Sequence, residues 1–292
     1  MDRHILLAPF RLLPRGSVGV LVAITLAAIV VLAVLSALHL ADPLYIDPLN
    51  RMKPPSAEAL FGTDQLGRDI FSRCIYGARV SLFVAVTTTL VTCVVGGSIG
   101  LLAGYSPLFD LFGMRFMDAL MTMPTILLAI ALSSIMGAGF FVVIFAIAVA
   151  ELPGVSRIVR SAVFAIAAQP YVEAARLNGR PHWQILVVHI LPNVLPVILV
   201  HATFLFAHVI MAEAALSFLG AGVPPSIPSW GNMIAIGKDV FVVAPWTIVF
   251  PGAFVAVTVY VINAVGDHLR ERLDPTLSGA FREEAAGMEA QA

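Results

Sequence analysis

Residues Tyr171–Pro192 read YVEAARLNGRPHWQILVVHILP, a polar island in a very apolar chain. Gln169-Pro170 opens it, and a proline suits the first turn of a helix, where its missing N–H costs nothing. Glu173-Ala174-Ala175-Arg176-Leu177 are good helix formers. Asn178-Gly179 reads as a helix stop, with glycine free to take the left-handed conformation. Pro181 starts a second short helix and Pro192 ends the block. The spacing therefore predicts a helix, a glycine break and a helix between two hydrophobic spans. An ordinary amphipathic surface helix with a glycine cap would share these features.

The rest of the chain says where such a block can sit. Of its 292 residues, 59% are hydrophobic and 12% charged, with a mean hydropathy of +0.94. Soluble domains carry about 25% charged residues. Long apolar runs dominate over alternating patterns, so the fold class is an all-α integral membrane protein. A net charge of −1 leaves no nucleic-acid footprint. Cys74 and Cys93 imply no disulfide framework.

Taken in order, Val18–Leu40 is long enough to span and longer than a usual signal-peptide core, so it reads as a first transmembrane helix, with a cleaved signal as the alternative. Residues 41–78 form an extracytoplasmic loop and an elbow. There Thr63 or Asp64 caps a helix start, and Asp64/Arg68 and Asp69/Arg73 make (i, i+4) charge pairs. Leu66, Ile70, Cys74 and Ala78 share one face, which predicts an amphipathic helix on the membrane surface.

Further spans are expected at Ser81–Gly104, Phe112–Met136, Gly139–Val159, Val194–Phe218 and Pro245–Asn263, six in all. Gly96, Gly100 and Gly104 repeat at four, a face that lets helix backbones approach closely. Pro124 should kink the third span, and Asp118 in its first turns should face inward or an interface. Glu151 stands beside Leu152-Pro153-Gly154, a carboxylate next to a helix break. It either works at membrane depth or caps broken backbone near an interface. His201, His208 and Glu213 lie on the fifth span; His208 and Glu213 are five apart, poor spacing for a shared metal, and lining a polar cavity or packing fits them better. Pro224, Pro225, Pro228 and Trp230 predict an outside loop with an aromatic anchor at the interface. Arg282–Ala292 reads as a disordered tail.

Of 17 Lys and Arg, 11 fall on the side that holds both termini and 6 on the other, which favours cytoplasmic termini. There is no Walker A run and no H-E-x-x-H pair, and a nucleophile elbow is not expected either.

Glu173-Ala174-Ala175, then Gly179, then Ile190-Leu191-Pro192 resembles the "EAA" loop of permease subunits in binding-protein-dependent ABC importers. Three further stretches resemble peptide-type permeases of the C partner: the GTD-x-x-GRD segment from Gly62, LSFLGAGVPP from Leu216 (similar to LSFLG-x-G-x-x-PP, one residue shorter before the prolines), and GD-x-LR-x-x-LDP from Gly266. The resemblance covers roughly Leu60–Leu277. It implies the type I importer fold, with residues 79–267 as the transmembrane core domain, 169–192 as the loop that docks on the ATPase, and 268–292 as a cytoplasmic tail in a bacterial plasma membrane. Glu173, Ala174, Ala175, Arg176, Gly179 and Pro192 would be its coupling residues. It further implies a second permease, two ATPase subunits that carry ATP and Mg²⁺, and an extracytoplasmic binding protein, with no cofactor and no hydrolysis in this chain. Di- or oligopeptides are the expected solute, nickel or another small solute the alternative. A channel or secondary transporter, and a membrane enzyme, are the rivals outside the class.

Overall fold

Asp69 caps a single 36-residue helix, α1 (Ile70–Tyr105), its carboxylate accepting from the Ser72 N–H at 2.8 Å. The computed structural model describes residues 42–137 and 139–273. The expected first span, the ending at Asp274-Pro275 and the tail lie outside them. Every regular element among the described residues is helical, and their one extended pairing is an isolated bridge between Thr63 and Asp69.

After α1 come α2 (Pro107–Met121), α3 (Thr125–Met136), α4 (Phe140–Ala167), α5 (Pro170–Leu177), α6 (His182–Phe218), α7 (Trp230–Gly237) and α8 (Trp246–Leu273). Four of these, α1, α4, α6 and α8, are long and apolar enough to cross a membrane. The bent pair α2–α3 gives a fifth candidate.

Several expectations need correction. The elbow is not a separate surface helix: residues from Ile70 onward are the first turns of α1 itself. At about 1.5 Å per residue α1 is roughly 54 Å long, far more than a bilayer's hydrocarbon. Thr63 and Asp64 do not cap it. Asp64 instead closes the preceding turn, accepting from Leu66 and Arg68 N–H. The Asp64–Arg68 pair forms at 2.7 Å but is buried, not solvated or lipid-facing. Arg73 turns away from Asp69 and donates to the Pro43 carbonyl at 3.1 Å, 3.8 Å from Asp64. Of the expected amphipathic face, Ile70, Cys74 and Ala78 are buried and Leu66 is exposed.

Pro124 does more than kink: α2 and α3 meet at 89°. Conversely, Leu152-Pro153-Gly154 does not break α4, which runs through all 28 residues. Pro192 does not end a helix either. It lies in the first turn after a wide π segment, Ile185–Ile190, inside the continuous α6. A proline ring crowds the turn before it, and a widened turn relieves that clash.

Among the described residues the most extensive helix pairing is α1 against α4, and it is close. A Cβ on Gly100 would fall 2.4 Å from the Ser156 carbonyl oxygen and 2.8 Å from Val159 Cβ. On Gly96 it would meet Val155 at 3.1 Å, and on Gly104 Val163 at 2.6 Å. At the α7 end, Trp230 is 1% exposed and donates from Nε1 to the Cys74 carbonyl at 2.9 Å. It is a core residue, not an interfacial anchor. Nearby, Phe61 stacks on Phe250 at 4.0 Å and Trp246 Nε1 donates to the Thr63 carbonyl, so the loop before α1 is fastened to α8.

Gly100→Ala should therefore lower the melting temperature of the purified protein, by overpacking worth about 1–3 kcal/mol. Gly154→Ala, with open space around its Cβ, should not. Equal melting temperatures would mean that α1 and α4 do not meet through this face.

Candidate functional site

Two sets of polar residues stand out. The first is the block after α4. Helix α5 begins with Gln169 as cap and Pro170 in its first turn. It ends in a double hydrogen bond: Gly179 N–H donates to the Arg176 carbonyl at 3.0 Å, and Arg180 N–H to that of Ala175 at 3.2 Å. Gly179 sits at φ +71°, in the left-handed region, with nothing within 4 Å of where a Cβ would be. A side chain there would meet a conformational penalty and no collision.

The spacing of α5 divides its residues. Val172 and Ala175, three apart, are buried in the same apolar cluster as Ile185 and Ile190. Glu173, Ala174, Arg176 and Leu177 face out. The two alanines thus do different work: Ala175 fixes the helix to its own chain, and Ala174 lies on the bare side. Leu177 is 83% and Trp183 67% exposed, and Tyr171 is exposed as well. Glu173, Arg176 and Arg180 are exposed in the same block. Pro192 belongs to α6, below the block.

The second set lies along α4 and the helices against it. Glu151 and His208 meet, Oε1 to Nε2 at 3.2 Å, with the carboxylate largely covered and the imidazole half-exposed. His201, two turns before His208 on α6, is partly buried. Arg157 donates to Asp118 at 2.8 Å, and Arg160 makes a two-pronged pair with Asp110, Nη2 to Oδ2 at 2.6 Å. Asp118 is thus in the first leg of a bent pair, half-exposed and matched, and Glu151 caps no broken backbone because there is none. Together these pairs clip α2 and α6 to α4.

Glu213 is apart from them. It is 1% exposed and accepts hydrogen bonds from Ser217 (2.9 Å), Ser229 (3.0 Å) and Ser81 (3.3 Å). Ser81 Oγ accepts in turn from the Trp230 N–H at 3.2 Å. This carboxyl ties α1, α6 and α7 together. Ser81 and Ser229 were invisible as partners because they lie far from Glu213 in the chain, and small hydroxyls carry no local signature.

An open groove of about 800 Å³ between α1, α6 and α8 is lined by apolar groups such as Leu90, Val94 and Leu199 and holds none of the polar candidates. Gly96-Gly97-Ser98-Ile99-Gly100 does spell G-x-S-x-G, against expectation. Yet it is continuous helix, and Ser98 Oγ donates to the Val94 carbonyl at 2.6 Å, so it is no nucleophile elbow. Among the described residues no group of three or more His, Cys, Asp or Glu could hold a metal ion.

Several known proteins resemble this chain. The family model described as binding-protein-dependent transport system inner membrane component matches residues 96–279. A probable peptide ABC transporter permease of Sinorhizobium fredii is 48% identical over 244 residues, 84% of each chain. A dipeptide transport system permease of Alkalihalophilus pseudofirmus is 38% identical over 274 residues, 92% of this chain and 89% of that one. Among solved structures, a chain of the MetNI methionine ABC transporter in an inward-facing conformation superposes with a TM-score of 0.58 at 20% identity. It covers 69% of this chain and 96% of its own; at that identity the likeness concerns the fold.

If Glu213 is structural, Glu213→Ala should lower the melting temperature, since three buried hydroxyls lose their acceptor at about 1–3 kcal/mol for each group left unsatisfied. The correctly folded fraction should keep its transport rate. A normal melting temperature with lost transport would place Glu213 on the solute's route instead.

Proposed function

We infer, because the chain belongs to the family of inner membrane components of binding-protein-dependent transport systems, that it is the subunit that forms the membrane path for di- or oligopeptides in an ABC importer. Peptides come from the names of its relatives. The observation that carries the coupling role is the form of α5: a short helix with one face fixed by Val172 and Ala175 and the other bare. A permease of this family is not the enzyme; ATP and Mg²⁺ belong to two ATPase subunits that seat against that bare face. A second, different permease completes the path, and an extracytoplasmic binding protein delivers the solute.

In this reading residues 18–40 supply a sixth span, and both termini lie in the cytoplasm of a cell bounded by the inner membrane. Half-exposed ionisable groups on span faces, His208 beside the covered Glu151, and Asp118 with Arg157, are costly against lipid. They therefore face the second permease or the water-filled route between the two, and His201 joins them. ATP draws the ATPases together, α5 follows as a stiff body, and the α1–α4 pair rocks to open the route on the opposite side. The lipid-facing remainder is apolar. Gly96, Gly100 and Gly104 serve by holding α1 and α4 as one unit.

Reporter fusions at Gly16 and Ala280 should both read cytoplasmic, and opposite readings would end the six-span account. Glu173→Lys replaces a carboxylate near the positive end of α5, where it is favoured by about 0.3–1 kcal/mol. Gly179→Val forces a branched side chain into the left-handed region at about 1–2 kcal/mol. Both variants should insert and bind the binding protein normally, yet lose ATPase co-purification or its stimulation by loaded binding protein. Wild-type values in both would remove the block from the coupling role.

A further inference from the structure

We propose that Tyr105 is the joint through which the coupling block moves the α1–α4 pair, a proposal that rests on reading that block as the ATPase contact. Tyr105 is the last residue of α1. Its hydroxyl lies 2.7 Å from His182 Nδ1, at the start of α6. The Arg176 guanidinium, on α5, stands over its ring at 5.5 Å from the centroid. One side chain thus touches both arms of the block, on either side of the Gly179 turn. Its ring also packs against the main apolar cluster, the one to which α4 contributes Val155, Val159 and Val163.

The chemistry suits transmission. A tyrosine has two side-chain torsions and a rigid ring, so it carries a displacement with less slack than a long flexible chain. The ring face attracts Arg176 while the hydroxyl pairs with His182, and these are separate attractions on separate atoms. Behind Tyr105 the helix cannot yield alone, because Gly104, its chain neighbour, is pressed on Val163 and the Arg160 carbonyl of α4. A push on α5 or on the start of α6 must therefore shift α1 and α4 together or break these two contacts. A tyrosine that merely anchored the chain at the membrane interface would need neither Arg176 nor His182.

The test uses the whole importer in nanodiscs, this chain with its second permease and both ATPases. The probe is the cognate binding protein carrying the solute with which it is purified, and the readout is the ratio of stimulated to basal ATP hydrolysis. Tyr105→Phe keeps the ring and removes the hydroxyl; Tyr105→Leu removes both contacts; His182→Ala, at an exposed position, removes the hydroxyl's partner. We expect the ratio to fall about three- to tenfold in Tyr105→Phe and His182→Ala, the scale of one lost hydrogen bond, and further in Tyr105→Leu, with the ATPases still co-purifying. The double variant Tyr105→Phe/His182→Ala should be no worse than either single. A normal ratio in Tyr105→Leu, a double variant in which the two losses multiply, or loss of the ATPases from the complex would each overturn the proposal. Should Tyr105→Leu fail to pair with the second permease, His182→Ala carries the test, and a normal ratio in it would overturn the proposal. Glu173→Lys, run in parallel, reports on the underlying reading. If that variant is normal, the block is not the coupling element; if it is defective while Tyr105→Leu is normal, only the joint is wrong.

Discussion

Helices in a bilayer gain little from burying apolar surface against each other, since the lipid is as apolar as they are; close packing must hold them. Here that packing is the approach of α1 to α4, where Gly96, Gly100 and Gly104 leave room for Val155, Val159 and Val163. Much else follows from its register. α4 carries Glu151, Arg157 and Arg160, so the position of α4 against α1 decides where α6 and α2 can be clipped on. α4 also ends at Ala167, and α5 begins at Pro170. The bare face of α5 is therefore aimed by a helix whose own place is set by three missing side chains.

Two carboxylates on apolar helices meet different fates for a physical reason. Glu213 is enclosed, and three serine hydroxyls replace the water it has lost. Glu151 has one imidazole for company, and that imidazole is half-exposed. The first arrangement rigidifies; the second leaves a polar group open to whatever lies on that face. The distinction comes from surroundings assembled from several helices.

That is also why some features could be read in the chain and others could not. Spans announce themselves by composition, and the four-residue glycine spacing and the Asn178-Gly179 stop are local patterns with local causes. The start of α1 is hard to place from sequence because Thr63, Asp64 and Asp69 can all cap a helix in one stretch, and it is Asp69 that has the extended backbone and the Ser72 N–H within reach. Pro124 and Pro153 are both prolines in apolar helices, yet one sits at an 89° turn and the other in a continuous helix. The residue specifies a missing N–H, and the neighbours decide whether the helix bends. Trp230 looked like an interfacial anchor because its burial depends on Cys74, 156 positions earlier. Ala174 and Ala175 read alike until Val172 and the π segment below them show which one turns inward.

The central claim is that α5 meets its partner through one face only. A photo-crosslinking side chain placed singly at Val172, Ala174, Ala175 and Leu177, in the complete importer, measures this directly. Crosslinks to an ATPase subunit from Ala174 and Leu177, with none from Val172 and Ala175, are the result predicted here. Crosslinks from the buried pair, or none to an ATPase from any of the four, would contradict it.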